Sequence, residues 1–237
     1  MIKARHSRWA DAIFNAYIKH LLKQHFNGIH YFGEPPVFER DIPVILFPNH
    51  STWWDGFFVY ILNKKKFNRE MYLMMLEEEL ASNSFFSRVG AYSIKQGSLS
   101  GVKESLSYTR SIINNKPSSL TCVFPQGELL PWGTNPPGFK RGPEVIFRNV
   151  NRPFYIFLLA IKIEYLNEQR PDVFFMFDHY LHNGPNLLNM LEYEAKMSDL
   201  LDKLNRAIID RQKATPLLQG KESINRYFER LRTKKRG

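Results

Sequence analysis

His50 and Asp55, five residues apart in Asn49-His50-Ser51-Thr52-Trp53-Trp54-Asp55-Gly56, are residue types that can move a proton together. The apolar run Pro43–Phe47 (PVILF) before them reads as a buried strand. His50 then lies at the strand exit, and Asp55 falls in the first turn of the helix that follows. From there the carboxylate can turn back, accept one imidazole N–H, fix the tautomer and stabilise the imidazolium. The other ring nitrogen is left free as a general base. The same pair can equally be an ordinary structural hydrogen bond, and the spacing alone leaves both readings open.

A second constellation follows the apolar run Leu120–Phe124: Pro125-Gln126-Gly127-Glu128, and then Gly138-Phe139-Lys140-Arg141-Gly142. Its glycines permit close backbone approach to a ligand, and the Lys140-Arg141 pair offers charge to a phosphate. It can also be a surface loop with incidental charges. Between the two blocks, Gly90 to Lys95 reads as a short strand that delivers a cation at its end. Three other groups carry less. Asp178-His179-Tyr180-Leu181-His182 has two histidines three apart and no third metal ligand. Cys122 lies inside an apolar strand, where packing fits better than nucleophilic chemistry. Trp53 and Trp54 pack, or line a channel for an apolar chain.

The elements that must position these residues alternate. Strands are expected at Pro43–Phe47, Met71–Met75, Ala91–Ile94, Leu120–Phe124 and Phe154–Ile163, with helices at Trp53–Leu62, Glu77–Arg88 and Ser100–Asn114. This order predicts an α/β fold with a central, largely parallel or mixed sheet flanked by helices. In such sheets function gathers in loops at the carboxyl ends of strands, where His50, Lys95 and Gln126 fall. Residues 8–26 read as an amphipathic helix, with Trp9, Ile13, Ala16, Tyr17, Leu21 and Leu22 on its apolar stripe. Its basic residues and aromatics suit a lipid headgroup layer, or the helix packs on its own domain. From Asp199 on, a helical tail ends in Arg230, Arg232, Lys234, Lys235 and Arg236.

The 237 residues predict a single domain in three parts: an N-terminal segment 1–40, a core 41–190 and a basic tail 191–237. With 43% apolar and 24% charged residues the chain is not intrinsically disordered. One cysteine excludes an intrachain disulfide and a four-cysteine zinc site. No signal peptide is read at the N-terminus. The longest apolar stretch, Pro153–Ile161, falls short of the ~20 residues that cross a bilayer. The net charge of +10 asks for an anionic partner, nucleic acid or membrane.

Taken together, the blocks resemble the glycerolipid acyltransferase superfamily, of the 1-acylglycerol-3-phosphate acyltransferase type. Its H-x-x-x-x-D block matches His50 to Asp55, and its G-x-x-x-x-R block matches Gly90 to Lys95 with Lys for Arg. Its F-P-E-G block matches Phe124-Pro125-Gln126-Gly127, and F-K-x-G matches Phe139-Lys140-Arg141-Gly142. Order and separation agree over about residues 40–165. The resemblance implies a glycerol-3-phosphate acyltransferase-like fold, with His50 and Asp55 as the catalytic pair. It implies Lys95, Gln126, Gly127, Glu128, Lys140 and Arg141 as substrate-binding residues. No metal and no cofactor are implied beyond an acyl-CoA or acyl carrier protein donor. Other implied partners are a lipid acceptor and an anionic membrane surface, at the cytoplasmic face of the cell membrane, and not nucleic acid.

Several residues depart from the family pattern. Gln126 replaces its acid, Glu128-Leu129-Leu130 stands where T-R-S usually follows, and Ile156–Ile161 contains no Pro. Lys95 keeps a charge without the bidentate fork of Arg. The resemblance implies a lysophospholipid or lysophosphatidate as acceptor, and the departures make a neutral or glycosylated lipid, such as a carotenoid glycoside, the alternative. From other classes, a non-catalytic membrane-surface binding protein is weighed against acyl transfer. A thioester hydrolase is the weakest reading, for want of a G-x-S-x-G nucleophile elbow.

Overall fold

The computed structural model describes residues 1–183 and 188–221. Eight strands form one mixed sheet: β1 (Gly28–Tyr31), β2 (Val44–Pro48), β3 (Glu70–Leu76), β4 (Ala91–Ile94), β5 (Ser119–Cys122), β6 (Phe154–Glu164), β7 (Asp172–His182) and β8 (Thr215–Gln219). Their order across the sheet is β4-β3-β5-β2-β6-β7-β1-β8. The block from β4 to β6 is parallel throughout, β6 and β7 pair antiparallel, β7 and β1 pair parallel, and β8 closes antiparallel on β1.

Helices cover both faces, so the central strands are apolar on both sides and read as continuous runs rather than as alternation. On β2, Val44 and Leu46 face one core, and Ile45 and Phe47 face the other. The first core is covered by α1 (Arg8–His25) and α2 (Asp55–Leu62) through Phe14, Ile18, Leu22, Phe58 and Ile61. The second is covered by α4 (Leu99–Asn115), α5 (Glu144–Phe147) and α6 (Met190–Ile209), with α3 (Glu77–Ser82) following β3. The Ser98 hydroxyl accepts the Gly101 N–H at 3.2 Å and so caps the start of α4.

Several elements differ from the sequence expectation. The stretch Glu77–Arg88 divides at Asn83 into α3 and a 3-10 turn, Ser84–Val89. Helix α1 buries Ala10, Phe14, Ile18 and Leu22, and leaves Trp9, Ile13 and Tyr17 more than half exposed. Of the two readings of this helix, the face that packs on the domain is a second apolar series, and part of the stripe read from the sequence stays exposed. The expected helical tail holds for α6, but Thr215–Gln219 is a strand that pairs with β1. The basic cluster Arg230 to Arg236 lies outside the described residues. Strands β1 and β7 were not expected. The period of two along β7 sends His179 and His182 to opposite faces, where they meet different rings. His179 lies against Phe38 and Tyr155, and His182 against Phe154 and Tyr193. Among the described residues no group of three or more His, Cys, Asp or Glu is placed to hold a metal ion, and no helix is long and apolar enough to cross a membrane.

Candidate active site

Because β2, β4 and β5 run parallel, their carboxyl ends open on one edge of the sheet, and the loops there carry His50, Lys95 and Gln126. His50 Nδ1 lies 2.8 Å from Asp55 Oδ2. Asp55 is fully buried, and an isolated carboxylate so placed would cost several kcal/mol of desolvation. Three further donors offset that cost. Oδ2 also accepts the Ser51 N–H (2.8 Å) and the Thr52 N–H (2.9 Å), and Oδ1 accepts the Thr52 hydroxyl at 2.8 Å. Thr52 Oγ1 in turn accepts the Trp54 N–H. Thr52 and Asp55 thus satisfy, in the manner of a capping box, the N–H groups of the turn that leads into α2. The acid that starts α2 is thus the same acid that holds the imidazole.

The rest of the His50 loop is equally constrained. The ring of Phe124 lies against the imidazole at a centroid distance of 4.0 Å and an angle of 24°. Asn49 exchanges two hydrogen bonds with the Ile161 main chain, and Leu130 N–H donates to the His50 carbonyl at 3.0 Å. His50 Nε2 makes no hydrogen bond among the described residues, and the side chain is 22% exposed. A held imidazole with one open nitrogen at a sheet edge can accept a proton from a hydroxyl and return it to a leaving group.

The other expected site residues divide. Gln126 is buried, and its amide engages the His50 main chain. Gly127 has a left-handed backbone (φ +70), and a Cβ there would stand 3.1–3.2 Å from Lys140 Cδ and Nζ, so its lack of a side chain lets Lys140 lie across the turn. Lys140 N–H donates to the Pro125 carbonyl, and its ammonium lies 3.1 Å from Glu128. Lys95 is exposed just beyond β4, and the next residue, Gln96, donates to the Gly127 carbonyl at 3.1 Å, so the ends of β4 and β5 meet. Arg141 is not drawn into this group. It pairs with Glu144 at 3.2 Å and is otherwise in solvent.

Gly90, the first residue of the second block, has a structural task. Its φ is +104, and a Cβ would fall 1.9 Å from the Met71 carbonyl oxygen, so only glycine lets β4 turn in against β3. The Ser93 hydroxyl on β4 donates to Glu77, and this bond, ahead of the N-terminal amine and Lys95, holds the Glu77 carboxyl below its usual range. Burial, with the Asp55 charge second, pushes the Cys122 thiol well up, so it is a protonated packing group. Sequence reasoning missed Thr52 and Phe124 as parts of the site. Thr-x-x-Asp was a readable signal for the first, and the second was quoted within the F-P-E-G block without being given a role.

With this geometry the comparison with known proteins agrees. The family model described as Acyltransferase matches residues 25–155, more than half of the chain, and the protein belongs to this family, that of the glycerolipid acyltransferases. It is therefore a transferase of acyl groups. No curated protein matches the chain.

Proposed function

We propose that the protein moves a fatty acyl group from an acyl thioester to a lipid hydroxyl, with His50 as general base and Asp55 as its orienting partner. The observation that carries this reading is the 2.8 Å His50–Asp55 bond beside an Nε2 that bonds none of the described residues. His50 Nε2 takes the proton of the acceptor hydroxyl as its oxygen attacks the thioester carbonyl. The C–O bond forms, the C–S bond breaks, and the imidazolium protonates the departing thiolate. No acyl-enzyme and no metal are required. The donor is acyl-CoA or an acyl carrier protein.

For the acceptor, a lysophospholipid or lysophosphatidate is supported by Lys140, which lies across the Gly127 turn, and by Lys95, exposed one residue before Gln96, which donates to the Gly127 carbonyl. The competing acceptor is a neutral or glycosylated lipid. It is favoured by the Lys140–Glu128 and Arg141–Glu144 pairs, which already neutralise two of the three candidate phosphate ligands. The reading also includes peripheral attachment to the cytoplasmic face of an anionic membrane. It is supported by the exposed Trp9, Ile13 and Tyr17 of α1 and by Trp53, 65% exposed, three residues past His50. Arg88 lies over the Trp9 ring at 5.3 Å, adding charge beside the apolar stripe.

The experiment is product analysis by mass spectrometry. Purified protein is given palmitoyl-CoA, or the matching acyl carrier protein, with a mixture of lysophospholipids and glycolipids. New ester that is absent with His50→Ala supports the reading. Membrane binding without any ester product would assign the chain to non-catalytic surface binding, and equal product from His50→Ala would remove the base.

A further inference from the structure

We infer that Gln126 is a positioning residue for His50 rather than a contact to substrate. Strand β2 ends at Pro48, so His50 lies beyond the main-chain ladder. Its neighbours on either side, β5 and β6, still hold the segment, through side-chain amides beside one main-chain bond from Asn49 N–H to the Leu159 carbonyl (3.3 Å). On the β5 side, Gln126 Oε1 accepts the His50 N–H and Gln126 Nε2 donates to the His50 carbonyl at 3.3 Å. On the β6 side, Asn49 Oδ1 accepts the Ile161 N–H at 2.7 Å and Asn49 Nδ2 donates to the Ile161 carbonyl at 3.0 Å.

Each amide offers one donor and one acceptor to a single peptide segment, the pairing a neighbouring strand would supply. The sheet is in effect continued past its last residue, and the catalytic loop is clamped from both flanks. Gln126 is 2% exposed, and both polar atoms of its side chain are engaged, so little of it is free to meet a ligand. A carboxylate at this position, as in the family that the chain resembles, could accept from the His50 N–H but could not donate to its carbonyl. The amide completes a bond that an acid cannot.

The inference rests on His50 as the base of the proposed reaction, and the test separates the two. Steady-state constants are measured for wild type, His50→Ala, Gln126→Met and Gln126→Glu. The substrates are palmitoyl-CoA and whichever of lysophosphatidate and a monoglycosyl lipid is turned over faster. Met keeps the length and removes both bonds, and Glu keeps the acceptor alone. Misplacing a catalytic group by about 1 Å can cost about a hundredfold. Gln126→Met should therefore lower kcat about tenfold or more with both KM values changed less than about twofold, and Gln126→Glu should recover part of that loss. A raised acceptor or donor KM with kcat retained would make Gln126 a substrate contact and overturn the inference. So would unchanged kinetics in Gln126→Met, provided His50→Ala is inactive. Full activity in His50→Ala overturns the base itself. If Gln126→Met does not fold, Gln126→Glu decides: a loss in kcat alone supports positioning, and a loss in KM, or none at all, overturns it.

Discussion

The Phe124 ring and the His50 imidazole lie face to face, 4.0 Å between centroids, although 74 positions separate them in the chain. Phe124 lies two residues past the end of β5, so the strand that pairs with β2 leads directly into the surface on which the imidazole rests. Such ring contacts contribute about 0.5–1.5 kcal/mol beyond burial. Phe124→Leu should keep the fold and lower kcat by about two- to tenfold, since an aliphatic side chain cannot hold the ring plane. Steady-state assays with the acyl donor saturating test this, and unchanged kcat would make the stacking incidental.

Asp55 serves both the helix start and the imidazole, so its loss should be felt twice. Asp55→Asn places an amide N–H₂ against some of the four donors that now converge on the carboxylate. An unsatisfied buried donor costs about 1–3 kcal/mol. At about 2–4 °C per kcal/mol for a chain of this size, Tm should fall by several degrees. His50→Ala, which leaves the three other donors to Asp55 in place, should lower Tm less than Asp55→Asn does while cutting turnover about a hundredfold or more. Calorimetry of the two variants side by side checks the contrast, and equal Tm values would show that Asp55 does not hold the helix start.

Lys140, paired with Glu128, lies across the Gly127 turn, and Lys95 precedes Gln96, which donates to that turn, whereas Arg141, paired with Glu144, contacts neither. For a phosphate-bearing acceptor, Lys140→Ala and Lys95→Ala should each lower kcat/KM by roughly ten- to a hundredfold, from the ~1.5–3 kcal/mol of a charge-assisted bond. Arg141→Ala should change it little. With a neutral glycolipid acceptor all three should stay within a few-fold of wild type. Equal effects of the three on a phosphate-bearing acceptor would reject the division drawn by the geometry.

Exposed Trp9, Tyr17 and Trp53 predict an orientation on lipid as well as an affinity. Replacing all three by Ser should weaken flotation with phosphatidylglycerol vesicles while the chain stays folded, with Tm lower only by what their edge contacts contribute. Raising the salt from 0.05 to 0.5 M should weaken the wild type further, through its charges. If the triple variant binds as wild type does, the apolar stripe has another use.

Burial, followed by the Lys196 charge and opposed by Glu192, pushes the His182 imidazole down from its ordinary value of 6.5. The unfolded chain then binds the proton more readily than the folded one, so this group's contribution is present above about pH 6.5 and is lost as pH falls below it. Urea midpoints at pH 7.5 and 5.5 should show a smaller acid loss in His182→Phe, which preserves the stack on Phe154. An equal acid loss would assign the effect elsewhere.

The parallel half of the sheet and the His50 pair were legible because β2 and β6 are apolar runs and the shorter strands beside them end, like them, at polar turns. The β1, β7 and β8 edge was not. Gly28–Tyr31 is four residues long and mixes Gly and His with apolar types, and Thr215–Gln219 begins with Thr-Pro, so neither carries a period. On α1 the residues 9, 13 and 17 and the residues 10, 14, 18 and 22 are both apolar series at helical spacing. Pattern alone could not say which one the sheet would cover. The role of Gln126 was hidden because its partner is a backbone group, and no residue type marks the position of a backbone amide.

Strand β1 lies between β7 and β8, and its ladder partners are residues 172–175 and 215–219. A segment near the start of the chain therefore waits for the last described strand before both of its edges are covered. At ~5–20 residues per second of synthesis, that delay is roughly ten to forty seconds. During it the inner face of α1, with Phe14, Ile18 and Leu22, has no completed sheet to rest on. Long-range closure of this kind raises contact order and slows folding. Helix α1 and strand β1 are thus synthesised well before one of the strands that hold β1 in the sheet.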